Sequence, residues 1–365
     1  MNLTTLLNRA IEKRCCLQHE DLVALLSLRE AHEIQELFQA AYQVKLHWIG
    51  ANVSLRGLIE TGNVCRKNCY YCGIRKDNHA VERYQLTEDQ IVQMARWAFE
   101  HDYGSLALQG GEIESEANTR RFESVLQRIH EFGKDDFGIT LSLGEQTAEV
   151  YRRWKSAGAH RYLLRIETSD PELYKELHPS DHSLERRIQC LRDLKACGYQ
   201  VGTGVMIGLP GQTIEHLASD IQFFAEIDAD MLGMGPFLPH HQTPLGKSLA
   251  LTEEYARQQL LLGLKMIAVC RLYLHDVNIA ATTALQALAP DGREQGLKAG
   301  ANVIMPNITD TGYRKNYQLY ENKPGLDENS EDAREKLVKS LSAIGENILW
   351  GKRGDSKHFL GKTEI

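Results

Sequence analysis

The chain has 365 residues, 42% apolar and 25% charged, ordinary globular values that exclude a disordered chain. Lys and Arg total 42 against 49 Asp and Glu, a formal charge of −7, which argues against a partner such as nucleic acid or an anionic membrane surface. The longest apolar run, 260–274, is broken by Lys265 and Arg271, and the N-terminus lacks a secretory apolar stretch, so no membrane span and a cytoplasmic location are expected.

Residues 1–50 read as a helical extension. Leu22, Val23, Leu25 and Leu26 follow the acidic pair Glu20 and Asp21, and Ile34, Leu37, Phe38, Ala41 and Val44 recur at helical spacing. From 51 to 320, short β-rich runs alternate with amphipathic stretches. Strands are expected at 53–59, 105–109, 137–143, 162–167, 201–209, 231–238, 277–281 and 302–306. Helices are expected near 87–102, 115–132, 147–157, 183–197, 213–227, 252–274 and 292–299. Thr87 with Gln90 forms a capping-box pair, Ser183 and Thr213 stand at N-cap positions, and Gly104, Gly158, Gly198 and Gly300 follow helices as C-caps. This α/β alternation predicts a parallel sheet with right-handed crossovers. Its count fits a closed (β/α)8 TIM-type barrel, with an open doubly wound sheet as the alternative. In a barrel the working residues gather at the C-terminal ends of the strands. Residues 321–365 read as a linker at 321–333, a C-terminal helix through Leu337, Leu341, Ile344 and Ile348, and a basic tail.

Cys65, Cys69 and Cys72 stand just after the first expected strand, separated by three and then two residues. Three thiolates can hold three irons of a [4Fe–4S] cube and leave the fourth open to a small chelating molecule. Two plainer readings exist. The spacing puts the cysteines on one helix face, but Gly62, Asn63, Asn68 and Gly73 are loop residues and Arg66 and Lys67 make a poor core. A zinc site with His79 would show only one clear knuckle of the usual two. Gln109-Gly110-Gly111-Glu112 closes the second strand, where glycine admits close backbone approach and a carboxylate can accept from an ammonium. Arg165 and Glu167 alternate with apolar residues at the end of the fourth strand and so share a face, as a structural ion pair would too. Residues 204–213 form a glycine-rich turn that is not a nucleotide P-loop, because no Gly-Lys-Ser/Thr follows. Cys190, Cys197 and Cys270 fall in expected helices as buried apolar residues, and core packing is the default for Cys15 and Cys16.

The triplet, with Tyr71 before its last cysteine, resembles the signature of the radical S-adenosylmethionine (SAM) superfamily. The resemblance implies one [4Fe–4S] cluster held by Cys65, Cys69 and Cys72, whose open iron takes the amino and carboxylate groups of SAM. It implies SAM contacts from Tyr71, from Gly110, Gly111 and Glu112 (the superfamily's GGE motif), from Glu167 to the ribose, from Arg187 or its neighbour Arg186 to the carboxylate, and from Gly208 near adenine. Whole segments spread over residues 52–320, among them NVCRKNCYYCGIRKDN, AHRYLLRIETSDPELYKELHP, MGPFLPHHQTPL and GREQGLKAGANVIMPN, are similar to HydE, the radical SAM maturase family of [FeFe]-hydrogenase. Biotin synthase and methylornithine synthase share that architecture. The family implies a small organometallic substrate, a cysteine-held iron carbonyl cyanide precursor supplied by HydG and passed on towards HydF, and a low-potential electron donor. Arg165, Thr140, Ser142, Thr282, Thr283, Asn307 and Tyr317 are the candidates for the cavity that receives it. The chain departs from many members in its Gly111-Glu112-Ile113-Glu114 loop. It also has no cysteine after Cys270, where some members bind a second cluster, so one cluster is expected. A radical SAM enzyme acting on an organic substrate, and a scaffold using the triplet structurally, are the alternatives.

Overall fold

The computed structural model describes residues 2–363. Eight parallel strands form the wall of a barrel. They are β1 (Asn52–Leu55 and Gly57–Gly62, interrupted at Arg56), β2 (Ser105–Gly110), β3 (Gly138–Ser142), β4 (Arg161–Leu163), β5 (Gln200–Thr203), β6 (Met231–Leu232), β7 (Asn278–Ile279) and β8 (Val303–Ile304). Each pairs with the next in parallel from β1 to β7. Closure is made by backbone bonds: Ala281 donates to the Val303 carbonyl at 2.9 Å, and Ser54 and Arg56 donate to Asn302 and Ile304 at 2.9 and 3.0 Å. The ring leaves no free edge, which excludes the open-sheet alternative. Above β5 and β6, Met206–Ile207 pairs with Gly235–Pro236 and extends the wall upward on that side.

The crossover helices begin where their caps predict. Thr87 accepts from the Gln90 N–H while the Gln90 side chain accepts from the Thr87 N–H; Thr213 forms the same reciprocal pair with His216, and Ser183 accepts from the Arg186 N–H alone. Gly158, Gly198 and Gly300 take positive φ after their helices, as C-caps do. Gly104 does not. Asp102 supplies the left-handed residue (φ 59°), and Gly104 instead admits the backbone of Lys352, whose carbonyl oxygen would lie 1.8 Å from an added Cβ. Helices Pro171–Leu177, Thr283–Leu288 and Thr311–Arg314 were not anticipated, being too short to show a period.

The N-terminal extension is three helices, Leu3–Glu12, His19–Leu26 and Ala31–Trp48. The second packs on helix Ile214–Glu226 and the third on helix Glu253–Leu274, so they pad the outer layer of the barrel. Leu22, Leu25 and Leu26 are fully buried there, each worth ~2 kcal/mol of transfer free energy. No described helix is long and apolar enough to cross a membrane. Cys190 and Cys270 are core residues and Cys197 is half-buried, but Cys15 is exposed at a left-handed turn (φ 52°), which overturns core packing for it.

The segment after residue 320 works at both ends of the barrel. Lys323 reaches the C-terminal mouth, where it meets Glu60. Helix Ser330–Ala343 then leads to Asn347–Ile348, which pairs with the first half of β1. Residues 353–356 close the N-terminal end. Asp355 accepts from Arg161 at 2.6 Å and Gln200 at 2.7 Å, and the Gly354 carbonyl accepts from Asn278 at 3.0 Å. The basic tail is therefore bound to the barrel floor rather than free in solvent.

Candidate active site

The mouth of the barrel opens on a cavity of about 340 Å³. One side is built from the segment after β1. Residues 63–80 contain no helix or strand, so their carbonyls need partners from elsewhere. Arg83 supplies five of them, donating to the carbonyls of Asn63 (2.6 Å), Ile74 (2.8 Å), Arg75 (2.6 Å), Lys76 (3.4 Å) and Asn78 (2.9 Å). The loop so held turns Cys65, Cys69 and Cys72 into the cavity together. The Glu112 N–H donates to Cys65 Sγ at 3.3 Å, and a Cβ on Gly111 would meet the Val64 carbonyl at 2.2 Å, so the Gly-Gly-Glu turn packs directly against the cysteine loop. Burial pushes all three thiols up, Cys69 to about 12, against backbone N–H groups that favour the Cys65 thiolate. Loading with metal must therefore release protons.

Three thiols and no histidine line the cavity among the described residues. That donor set fits a [4Fe–4S] cluster bound through three irons. His79 is exposed and outside the cavity, so it supplies no fourth zinc ligand.

Next to the cysteines lies a chain of charges. Lys67 bridges Glu112 (3.3 Å) and Glu145 (3.2 Å), Arg187 holds Glu145 at 2.5 Å and donates to the Arg165 carbonyl at 2.7 Å, and Arg165 faces Glu167 at 2.8 Å. Burial pushes Glu112 and Glu167 above the usual carboxylate range. It pushes Glu145 up as well, but Arg187 and Lys67 outweigh it and hold that carboxyl below the range. Glu167 sits at φ 67°, a strained conformation for a residue with a side chain. Its N–H donates to the Gly204 carbonyl and its carbonyl accepts from Met206, and these two bonds fix the strained residue at the rim. Tyr71 meets His178 Nε2 through its hydroxyl at 3.3 Å.

The wall beside the cysteine loop comes from β7, β8 and the segment beyond them, where the Gly73 N–H donates to the Leu319 carbonyl at 3.0 Å. Thr283 and Tyr320 hydroxyls meet at 2.9 Å, and Gln109 donates to the Tyr317 hydroxyl at 3.2 Å. Lys323 pairs with the buried Glu60, which also accepts from Asn307 at 3.0 Å.

Fourteen of the seventeen residues singled out in the sequence line this one cavity: Cys65, Cys69, Cys72, Tyr71, Gly110, Gly111, Glu112, Ser142, Arg165, Glu167, Arg187, Thr282, Thr283 and Tyr317. Three do not. Thr140 shares the inward face of β3 with Ser142 but lies two residues deeper in the barrel. Asn307 stands behind Glu60. Gly208 takes φ 78° and faces Gln259, whose Oε1 would lie 2.1 Å from an added Cβ. Between the two adjacent arginines, Arg187 enters the cavity while Arg186 donates to the Gln146 carbonyl at 3.1 Å. Lys67, Arg83, Glu145, Glu60, Lys323 and Arg293 were missed. They are lone charges in loops, at a helix end or, for Glu60, within β1, and nothing local to them marks the partners they meet.

The Radical SAM superfamily profile matches residues 59–224. The chain is 42% identical to the [FeFe] hydrogenase maturase subunit HydE of Thermotoga maritima, over 92% of this chain and 93% of that protein. It is 27% identical to the 3-methylornithine synthase of Methanosarcina acetivorans, over 90% of this chain and 89% of that protein. The crystal structure of methylornithine synthase (PylB) superimposes with a TM-score of 0.79 at 26% identity, covering 95% of this chain and 98% of that one.

Proposed function

This chain belongs to the HydE family of radical SAM enzymes of hydrogenase maturation, and on that premise we propose that its substrate is a cysteine-held iron carbonyl cyanide precursor of the hydrogenase active-site cluster. The cofactors the family implies, a [4Fe–4S] cluster and SAM, would supply the reductive cleavage of SAM that yields a 5′-deoxyadenosyl radical. Cys65, Cys69 and Cys72 would hold the cluster, and with no cysteine after Cys270 the chain would carry one cluster only. Gly110, Gly111 and Glu112 would take the SAM ammonium, Arg187 its carboxylate and Glu167 its ribose. Each lies in the same cavity as the cysteines, which is the observation that carries the reading.

Arg165, Ser142, Thr282, Thr283 and Tyr317, which line the same cavity, would receive the substrate. The cavity lies inside a closed barrel, which limits the water and stray hydrogen donors a radical would meet. HydG as supplier, HydF as recipient and a low-potential electron donor complete the proposal.

The test is 5′-deoxyadenosine formation by anaerobically reconstituted, reduced enzyme given SAM, with and without the precursor. Product that rises with precursor, together with loss of precursor, is expected. Slow cleavage indifferent to precursor would overturn the substrate and favour an organic one, as in methylornithine synthase.

A further inference from the structure

Five cationic side chains line the cavity: Lys67, Arg165, Arg187, Arg293 and Lys323. Four face a carboxylate. Lys67 has Glu112 and Glu145, Arg165 has Glu167, Arg187 has Glu145, and Lys323 has Glu60. Among the described residues the Arg293 side chain has no ion-pair partner and no hydrogen bond, and its Nε is buried from solvent. The carboxylates of Glu294 and Glu328 act on it only from a distance. A guanidinium does not escape such a position by losing its proton, as a lysine can. A charge left unpaired in a cavity is stabilised by an anion that enters the cavity.

A second group points the same way. Thr282 stands at the N-cap of helix Thr283–Leu288, yet its side chain makes no capping bond. Threonine at that position normally spends its hydroxyl on the helix. Here Thr282 Oγ1 is buried without a partner and lines the cavity. Arg293 opens the next helix, Gly292–Lys298, which packs against the first. Two consecutive helices thus each bring one unused donor to the cavity.

We propose that Arg293, with the Thr282 hydroxyl as a second donor, anchors a carboxylate of the substrate. A planar guanidinium matches a carboxylate with two parallel hydrogen bonds, which a lone diatomic ligand on iron does not offer. The proposal rests on the maturase reading, in which the precursor is held by a cysteine and so carries an α-carboxylate.

The experiment compares two probes that differ only in that group, L-cysteine and cysteamine, by anaerobic calorimetry on the reconstituted, SAM-bound enzyme. Wild type, Arg293→Gln, Arg293→Lys and Thr282→Val are titrated with both. The quantity read is the ratio of the two dissociation constants within one preparation, which partial misfolding leaves unchanged. Wild type is expected to favour L-cysteine, Arg293→Gln to lose about ten- to a hundredfold of that preference, and Arg293→Lys to keep part of it. Thr282→Val should lose less than Arg293→Gln. A preference that persists in Arg293→Gln, or is absent from wild type, overturns the anchor. Wild type that fails to convert the precursor, yet shows a carboxylate preference that Arg293→Gln abolishes, sinks the maturase reading and leaves the anchor standing.

Discussion

A cysteine triplet declares itself in the sequence because thiols at that spacing have few other uses, and all three side chains meet in the cavity. A charged residue declares nothing, because its meaning depends on what faces it. Lys67 stands between two of the cysteines, yet only the fold places Glu112 and Glu145 beside it. Asp220 is the same lesson in the core. It is fully buried on helix Ile214–Glu226, where Oδ1 accepts from the Ser169 N–H and hydroxyl, both at 2.6 Å, and Oδ2 has no partner. Burial pushes its carboxyl up to about 7, and the charge of Asp170 adds to the rise. The unfolded chain loses this proton near pH ~4 while the folded chain keeps it to about 7, so wild type loses stability as pH rises between those values. Asp220→Asn keeps the accepting oxygen and cannot ionise. Its melting temperature relative to wild type should climb from pH 5 to pH 7, by roughly 2 °C or more, and level off above. Curves that stay parallel across pH would show that Asp220 does not titrate in this range.

At the scale of elements the agreement is close for long helices and poorer for short ones. A helix such as Glu88–Glu100 carries its own cap, its own apolar stripe and enough turns to repeat the pattern, all of it local information. Pro171–Leu177 and Thr283–Leu288 complete barely two turns, and tertiary packing decides them. Glycines divide similarly. Gly198 ends a helix at φ 77° with nothing within 4 Å of an added Cβ, so Gly198→Ala should cost only the left-handed backbone, about 1 kcal/mol. Gly104 has ordinary φ but stands against the Lys352 backbone, so Gly104→Ala must displace the C-terminal segment and should cost about 1–3 kcal/mol. Urea denaturation of the two variants tests the distinction, and an equal loss in both would refute the role given to Gly104.

Over the whole molecule, chemistry and stability occupy opposite ends of the barrel, as the geometry of parallel strands requires. The floor is made by Asp355, reached only after the chain has gone round the barrel and returned to Arg161 and Gln200 at the start of β4 and β5. Arg161 is fully buried, and Asp355→Ala would leave it with the Arg353 carbonyl as its remaining partner. The expected loss is about 3–5 kcal/mol, read as a lowered melting temperature, with iron content at room temperature retained. Loss of iron without loss of melting temperature would place Asp355 in the function of the mouth instead. The sequence alone determined what local periodicity and spacing can encode: eight strands, the helices between them, the end of each strand where function gathers, and the cysteine loop. Only the tertiary structure decided that the strands close into a ring, that the supposed linker reaches the mouth and the tail forms the floor, that Thr140, Asn307 and Gly208 stand outside the cavity, and that Arg293 faces it without a partner. The physical reason is that a hydrogen bond or an ion pair joins groups near in space, while periodicity records only neighbours along the chain.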